Sequence, residues 1–136
     1  MLHLPVAMQQ ALEAQAPGFH TVRSASFRSD VGQDAAERGG VQSLFAVLGD
    51  FDGDGTQDAV VEGSVPGDSS LVVIAVLNKK SPRAMEVTRF PTYDADAVGI
   101  YLSKPAAGKA GAFEVINYPD ASTLYVYRDG AFVAGP

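Results

Sequence analysis

Cysteine and tryptophan are both missing from the chain. Without cysteine, disulfide staples, thiolate nucleophiles and cysteine–zinc centres are excluded. At 136 residues the chain is long enough to bury a core as one domain without such cross-links. Positive charge is also scarce. Ten Lys and Arg stand against 16 Asp and Glu, a formal net charge of −6. Such a chain lacks the counterion-releasing surface that nucleic acid requires, and anionic membrane surfaces repel it. No apolar run approaches the roughly 18 residues of a membrane-spanning helix, so no transmembrane segment is expected. The start, Met1-Leu2-His3-Leu4-Pro5, has no basic stretch leading into an apolar one, so no signal peptide is visible.

Nucleophile and phosphate motifs are missing as well. Of the two histidines, His3 and His20, the second stands beside Phe19 as a boundary residue, with no partner in sequence that marks it as a base. Gly53 to Asp58 begins like G-x-G-x-x-G but ends in Asp, and its acidity opposes a pyrophosphate. Gly108-Lys109 lacks the flanks of a phosphate loop. In Gly63-Ser64-Val65-Pro66-Gly67 the serine follows the first glycine directly, so it is no nucleophile elbow.

What is present is a globular balance, 46% hydrophobic and 19% charged. Residues 5–16 are rich in Ala, Gln, Glu and Met, with Val6, Met8 and Leu12 at helical spacing. Pro5 suits the first turn of this helix, and Pro17-Gly18 stops it. Beyond it, residues 19–134 read as β-rich. Strands are predicted around residues 19–27, 42–48, 59–65, 71–77, 85–90, 98–102 and 113–118, with Asp129-Gly130 turning a last hairpin. Residues 30–40, polar and Gly-rich, read as a loop. Met85, Val87 and Arg89 share one alternation, as do Phe113, Val115 and Asn117, which predicts a sheet with one dry and one wet face. The expected fold is a single α+β domain over 1–136, the N-terminal helix packed on a mainly antiparallel sheet.

One segment carries chemistry. Counting from Asp50 as position 1, carboxylates stand at positions 1, 3, 5 and 9 (Asp50, Asp52, Asp54, Asp58), with Gly55 at 6 and Thr56 at 7. Alternate residues of a tight loop can converge on one centre. Calcium takes six to eight oxygens, many from carboxylates. The expected ligands are therefore the four Asp side chains and the backbone carbonyl of Thr56, with Glu62 and Glu37 as candidate completers. Without a cation, four carboxylates at close range repel one another.

The run GDFDGDGTQDAVV resembles the DxDxDG calcium loop of FG-GAP and VCBS-type repeats, found in integrin alpha-subunit propellers and in secreted bacterial proteins. It is similar in spacing to EF-hand and dockerin loops. However, an EF-hand needs flanking helices and a Glu at position 12, where this chain has Val61 between strand-like flanks. The likeness covers one copy in a chain too short for a propeller. The chain as a whole resembles small exported bacterial proteins with a helix ending in Pro-Gly-aromatic, here Pro17-Gly18-Phe19. The resemblance implies a calcium loop between two β-strands, in an exported binding or interaction module. Lacking the position-12 Glu, the site should bind calcium at about 10⁻⁴–10⁻³ M, which is filled outside the cytoplasm and empty within it. A periplasmic or secreted protein, its leader already removed, is therefore expected.

Two other readings stand beside this one. A hydrolase or other enzyme would combine the acidic loop with Asp94 or Asp96 as acid or base. A structural or inhibitor-like protein would use the loop as a mere turn. Tyr125 and Tyr127, two apart on one strand face, with Tyr93, Tyr101 and Tyr118 completing the tyrosine set of the C-terminal half, are a candidate platform for a carbohydrate or protein partner, or else core.

Overall fold

The computed structural model describes residues 4–38, 44–104, 111–119 and 121–135. Its centre is the run Leu71–Leu77 (β4), apolar throughout and buried at every residue. A strand with no polar face must be covered on both sides. It lies between β3 (Asp58–Ser64) and β5 (Arg83–Phe90), antiparallel to each. Two segments share the far edge of β3. β1 (His20–Thr21) pairs with its C-terminal end and β2 (Ala46–Gly49) with the rest. Gly63 allows β1 to come this close, since a Cβ there would stand 2.0 Å from the His20 carbonyl oxygen. A second sheet is a four-stranded antiparallel meander of β6 (Ile100–Ser103), β7 (Ala112–Asn117), β8 (Ala121–Arg128) and β9 (Ala131–Ala134). Asp129 and Gly130 join β8 to β9 with φ of 52° and 85°, the left-handed pair that a two-residue hairpin turn requires.

The two sheets face each other. Val60, Leu71 and Val73 of the first meet Leu102, Phe113 and Val115 of the second in one apolar core. Phe113 is its hub. It stacks on Tyr125 with centroids 5.6 Å apart and meets Phe51 and Phe132 edge-on at 5.5 and 5.4 Å. Residues 44 and 45 stitch the sheets together: the Leu44 carbonyl accepts from Leu102 N, and the Phe45 carbonyl from Glu62 N. Each outer face carries a helix. α1 (Val6–Gln15) sets Met8 and Leu12 against Ala59, Val61 and Ile74. α2 (Ser29–Arg38) sets Val31 and Ala35 against Tyr101 and Ile116. The layers run helix, sheet, sheet, helix.

The broad α+β, mainly antiparallel expectation holds, and four parts of the sequence reading are corrected. Residues 29–38 are helical, not a loop. Their apolar content is small, but Val31 and Ala35 are four apart and so fall on one helical face, both buried. The strand expected over 19–27 is only β1 followed by a 3₁₀ turn at Ser24–Ser26. The alternation Met85, Val87, Arg89 is broken by a bulge in the β4–β5 ladder, where Val73 faces Thr88 but Ile74 faces Glu86. Met85 and Val87 pack in the inter-sheet core, whereas Arg89 bonds Glu86 and Asp68 at the surface. The second sheet has no wholly wet face, because α2 covers Tyr101 and Ile116 on its outer side.

Candidate metal-binding loop

Residues 50–57 connect β2 to β3, whose last pair is Gly49 with Asp58. The loop has an inward anchor and an outward cluster. Phe51 is buried and packs on Phe113, pinning the loop to the end of the inter-sheet core. The carboxylates beside it turn away toward one another. Gly53 and Gly55 have φ of 78° and 88°, conformations costly for any residue with a Cβ, and they fold the chain back around the cluster.

The backbone amides hold the carboxylates in place. Asp50 Oδ1 accepts from Gly53 N and Asp54 N at 2.9 and 3.1 Å, and its Oδ2 from Gly55 N at 2.8 Å. Asp52 Oδ1 accepts from Asp54 N at 3.3 Å. Asp54 Oδ1 accepts from Thr56 N at 3.0 Å and stands 2.6 Å from the Thr56 hydroxyl. These bonds from the Thr56 side chain and backbone hold the Asp54 carboxyl down at about 2. Asp58 is fully buried. Its Oδ2 accepts from Phe51 N at 2.9 Å and its Oδ1 from Asn78 N at 2.8 Å. Burial pushes the Asp58 carboxyl up, against the downward pull of those two amides.

One carboxylate oxygen from each of Asp50, Asp52, Asp54 and Asp58 lies within 4.8 Å of the others. This acidic cluster can hold a metal ion. Thr56, expected to contribute its carbonyl, engages Asp54 and Asn78 through its hydroxyl, which is 2.6 Å from the Asn78 carbonyl.

Several residues from the sequence reading lie elsewhere. Glu62 does not complete the shell. It is four residues beyond Asp58, about 13 Å along an extended strand, fully buried, and among the described residues neither carboxylate oxygen has a hydrogen-bond partner. The side chain of Glu37 lies outside the described residues, as do His3 and Lys109. Asp94 accepts from Asp96 N at 2.9 Å in an exposed turn of its own, and neither residue belongs to the cluster. His20 has Nδ1 3.1 Å from the Gly18 carbonyl and Nε2 3.5 Å from the Ser64 hydroxyl. Tyr93, Tyr125 and Tyr127 are partly buried against the inter-sheet core, Tyr101 lies beneath α2, and Tyr118 holds Arg28 over its ring. Tyr125 and Tyr127 are therefore core residues rather than an open platform.

Sequence reasoning missed Asn78 and Lys79, at the turn after β4. Lys79 Nζ is 2.7 Å from Asp52 Oδ2 and 3.7 Å from Asp54 Oδ2. The ion pair with Asp52 raises the lysine's pKa. Antiparallel adjacency was the available signal. A hairpin of two apolar runs puts the end of β4 beside the start of β3, and the register Ala59 to Val76 brings Asn78 to Asp58.

No protein-family model, no curated protein and no solved structure matches the chain. The likeness to FG-GAP and VCBS-type loops thus rests on the loop residues alone. Among the described residues no helix is long and apolar enough to cross a membrane.

Proposed function

We propose that the β2–β3 loop binds calcium through Asp50, Asp52, Asp54, Thr56 and Asp58, and that the chain is a calcium-stabilised, exported binding module. The convergence of four carboxylates within 4.8 Å on a backbone-braced hairpin supports this reading. The donor set is all oxygen, and hard oxygen donors suit calcium or magnesium. Lys79 is the one cation paired with the cluster among the described residues, so the site keeps excess negative charge for a divalent ion. Calcium suits it better than magnesium, which prefers few protein ligands and strict octahedral geometry. The partner is a protein or a carbohydrate. The weak affinity expected for such a loop places its work outside the cytoplasm.

The test is a thermal melt in 10 mM calcium, in 10 mM magnesium and in chelator. At 100 times the dissociation constant, binding to the folded state alone adds about 2.7 kcal/mol, a rise of several degrees. The expected result is that rise with calcium and little with magnesium, and its loss in Asp54→Ala. Identical melts in calcium and chelator would remove the proposal.

A further inference from the structure

The loop's own amides do not serve every oxygen of the acidic cluster. Asp50 and Asp58 use both of theirs for hydrogen bonds, and Asp52 and Asp54 use Oδ1. Two oxygens remain, Asp52 Oδ2 and Asp54 Oδ2, and both face the ammonium of Lys79. Asp52 Oδ2 is buried, and among the described residues no other donor reaches it. A cationic group from a separate turn thus already sits at the part of the cluster that the backbone leaves open.

The lysine's position is well braced. Asn78, its neighbour in sequence, donates its N–H to Asp58, and its carbonyl stands 2.6 Å from the Thr56 hydroxyl. Leu77 before it is fully buried and pairs with Arg83 across the β4–β5 hairpin. The lysine root is therefore fixed to the loop, while its four-carbon stem is free to swing and its side chain is 37% exposed. A divalent ion entering the cluster meets a positive charge on the two carboxylate oxygens that the backbone leaves open.

We propose that Lys79 is a tethered competitor for the metal: its ammonium occupies Asp52 Oδ2 and Asp54 Oδ2 in the empty loop, and calcium must expel it to bind. This rests on the calcium reading above. The lysine has opposite effects on the two states. It stabilises the metal-free loop by neutralising buried Asp52, and it weakens the metal by repulsion and by occupying its ligands. The site is thereby set to respond at high calcium, and binding releases Lys79 to solvent.

The experiment is calcium titration by calorimetry on the wild type, Lys79→Met and Lys79→Arg, with melts of each in calcium and in chelator. In parallel, reductive methylation of wild-type Lys79 is followed by mass spectrometry with and without calcium. The expected result is calcium binding about tenfold tighter in Lys79→Met, from the lost repulsion at a few ångströms. Lys79→Arg should stay near the wild type. The Met variant should melt lower than wild type in chelator and higher in calcium, and wild-type Lys79 should be methylated several-fold faster once calcium is bound. Binding by the Met variant alone, with none by the wild type, would be the strong form of the same result. If the wild type binds calcium but Lys79→Met binds no tighter and the methylation rate is unchanged, Lys79 is a fixed structural partner. The proposal is then overturned while the calcium reading stands. If neither protein binds calcium, both fall together.

Discussion

Glu62→Met should be more stable than the wild type at pH 7.5, by about 2–3 kcal/mol. Glu62 sits on β3 between the sheets, fully buried, and among the described residues neither carboxylate oxygen has a hydrogen-bond partner. Burial pushes its carboxyl well above the ordinary 4.5, and among the described residues no charged group offsets that push. Methionine has similar volume and no polar atom to desolvate, so it removes the penalty without opening a cavity. The sign of the pH dependence follows from proton counting. Below about pH 4.5 both the folded and the unfolded chain carry the proton, and Glu62 costs only the burial of a neutral acid. As pH rises above that value, the unfolded chain releases the proton first. Stability then falls by about 1.4 kcal/mol per pH unit until the folded-state pKa is reached. The advantage of Glu62→Met should therefore be small at pH 4.5 and large at pH 7.5. Glu62→Gln, which does not titrate, should lose the pH slope and keep most of the gain at pH 7.5, falling short of Glu62→Met by the cost of burying its unpartnered amide. Urea denaturation at the two pH values reads all three proteins. A methionine variant no more stable than the wild type at pH 7.5 would show that the carboxyl is satisfied after all.

Asp58→Ala should lose about 3 kcal/mol even in chelator, a drop of roughly 10 °C in the melt. Asp58 is both a cluster member and a structural hub. Its buried carboxylate accepts from Phe51 N and Asn78 N, and Asp52 N is 3.4 Å away. Alanine leaves those amides without an acceptor at the end of the inter-sheet core. It also unfastens the turn after β4 from the loop. Asp54 is different. It is exposed, and its bonds go to Thr56 within the loop. Asp54→Ala should change the chelator melt little and remove the calcium response. The pair separates the two roles, fold and ligand, within one loop. Melts of both variants in chelator decide the matter, and an Asp58→Ala melt equal to the wild type would refute the hub assignment.

Much of the site was legible in the sequence because its parts are local. The four aspartates lie within nine positions, and the glycines between them fold the chain back at short range. Asp129-Gly130 marked its hairpin for the same reason, since two left-handed residues dictate a turn without help from the rest of the chain. The Leu71–Leu77 run announced a strand buried on both faces because no other arrangement hides seven apolar residues in a row. Residues 29–38 were misread because their helix is amphipathic by two small contacts, Val31 and Ala35, and only the sheet beneath supplies what those contacts bury.

The sequence by itself thus determined the acidic cluster, its loop between two strands, the broad α+β class and the central strand. All of these follow from residues near one another in the chain. Only the tertiary structure decided the division into two facing sheets, the second helix and the bulge that turns Arg89 outward. It alone buried Glu62 without a partner among the described residues and brought Lys79 into the loop. These features depend on strand register and on which distant surfaces are buried together. A β-ladder sets such relations across many residues, whereas hydrophobic alternation reports only which side of one strand a residue faces.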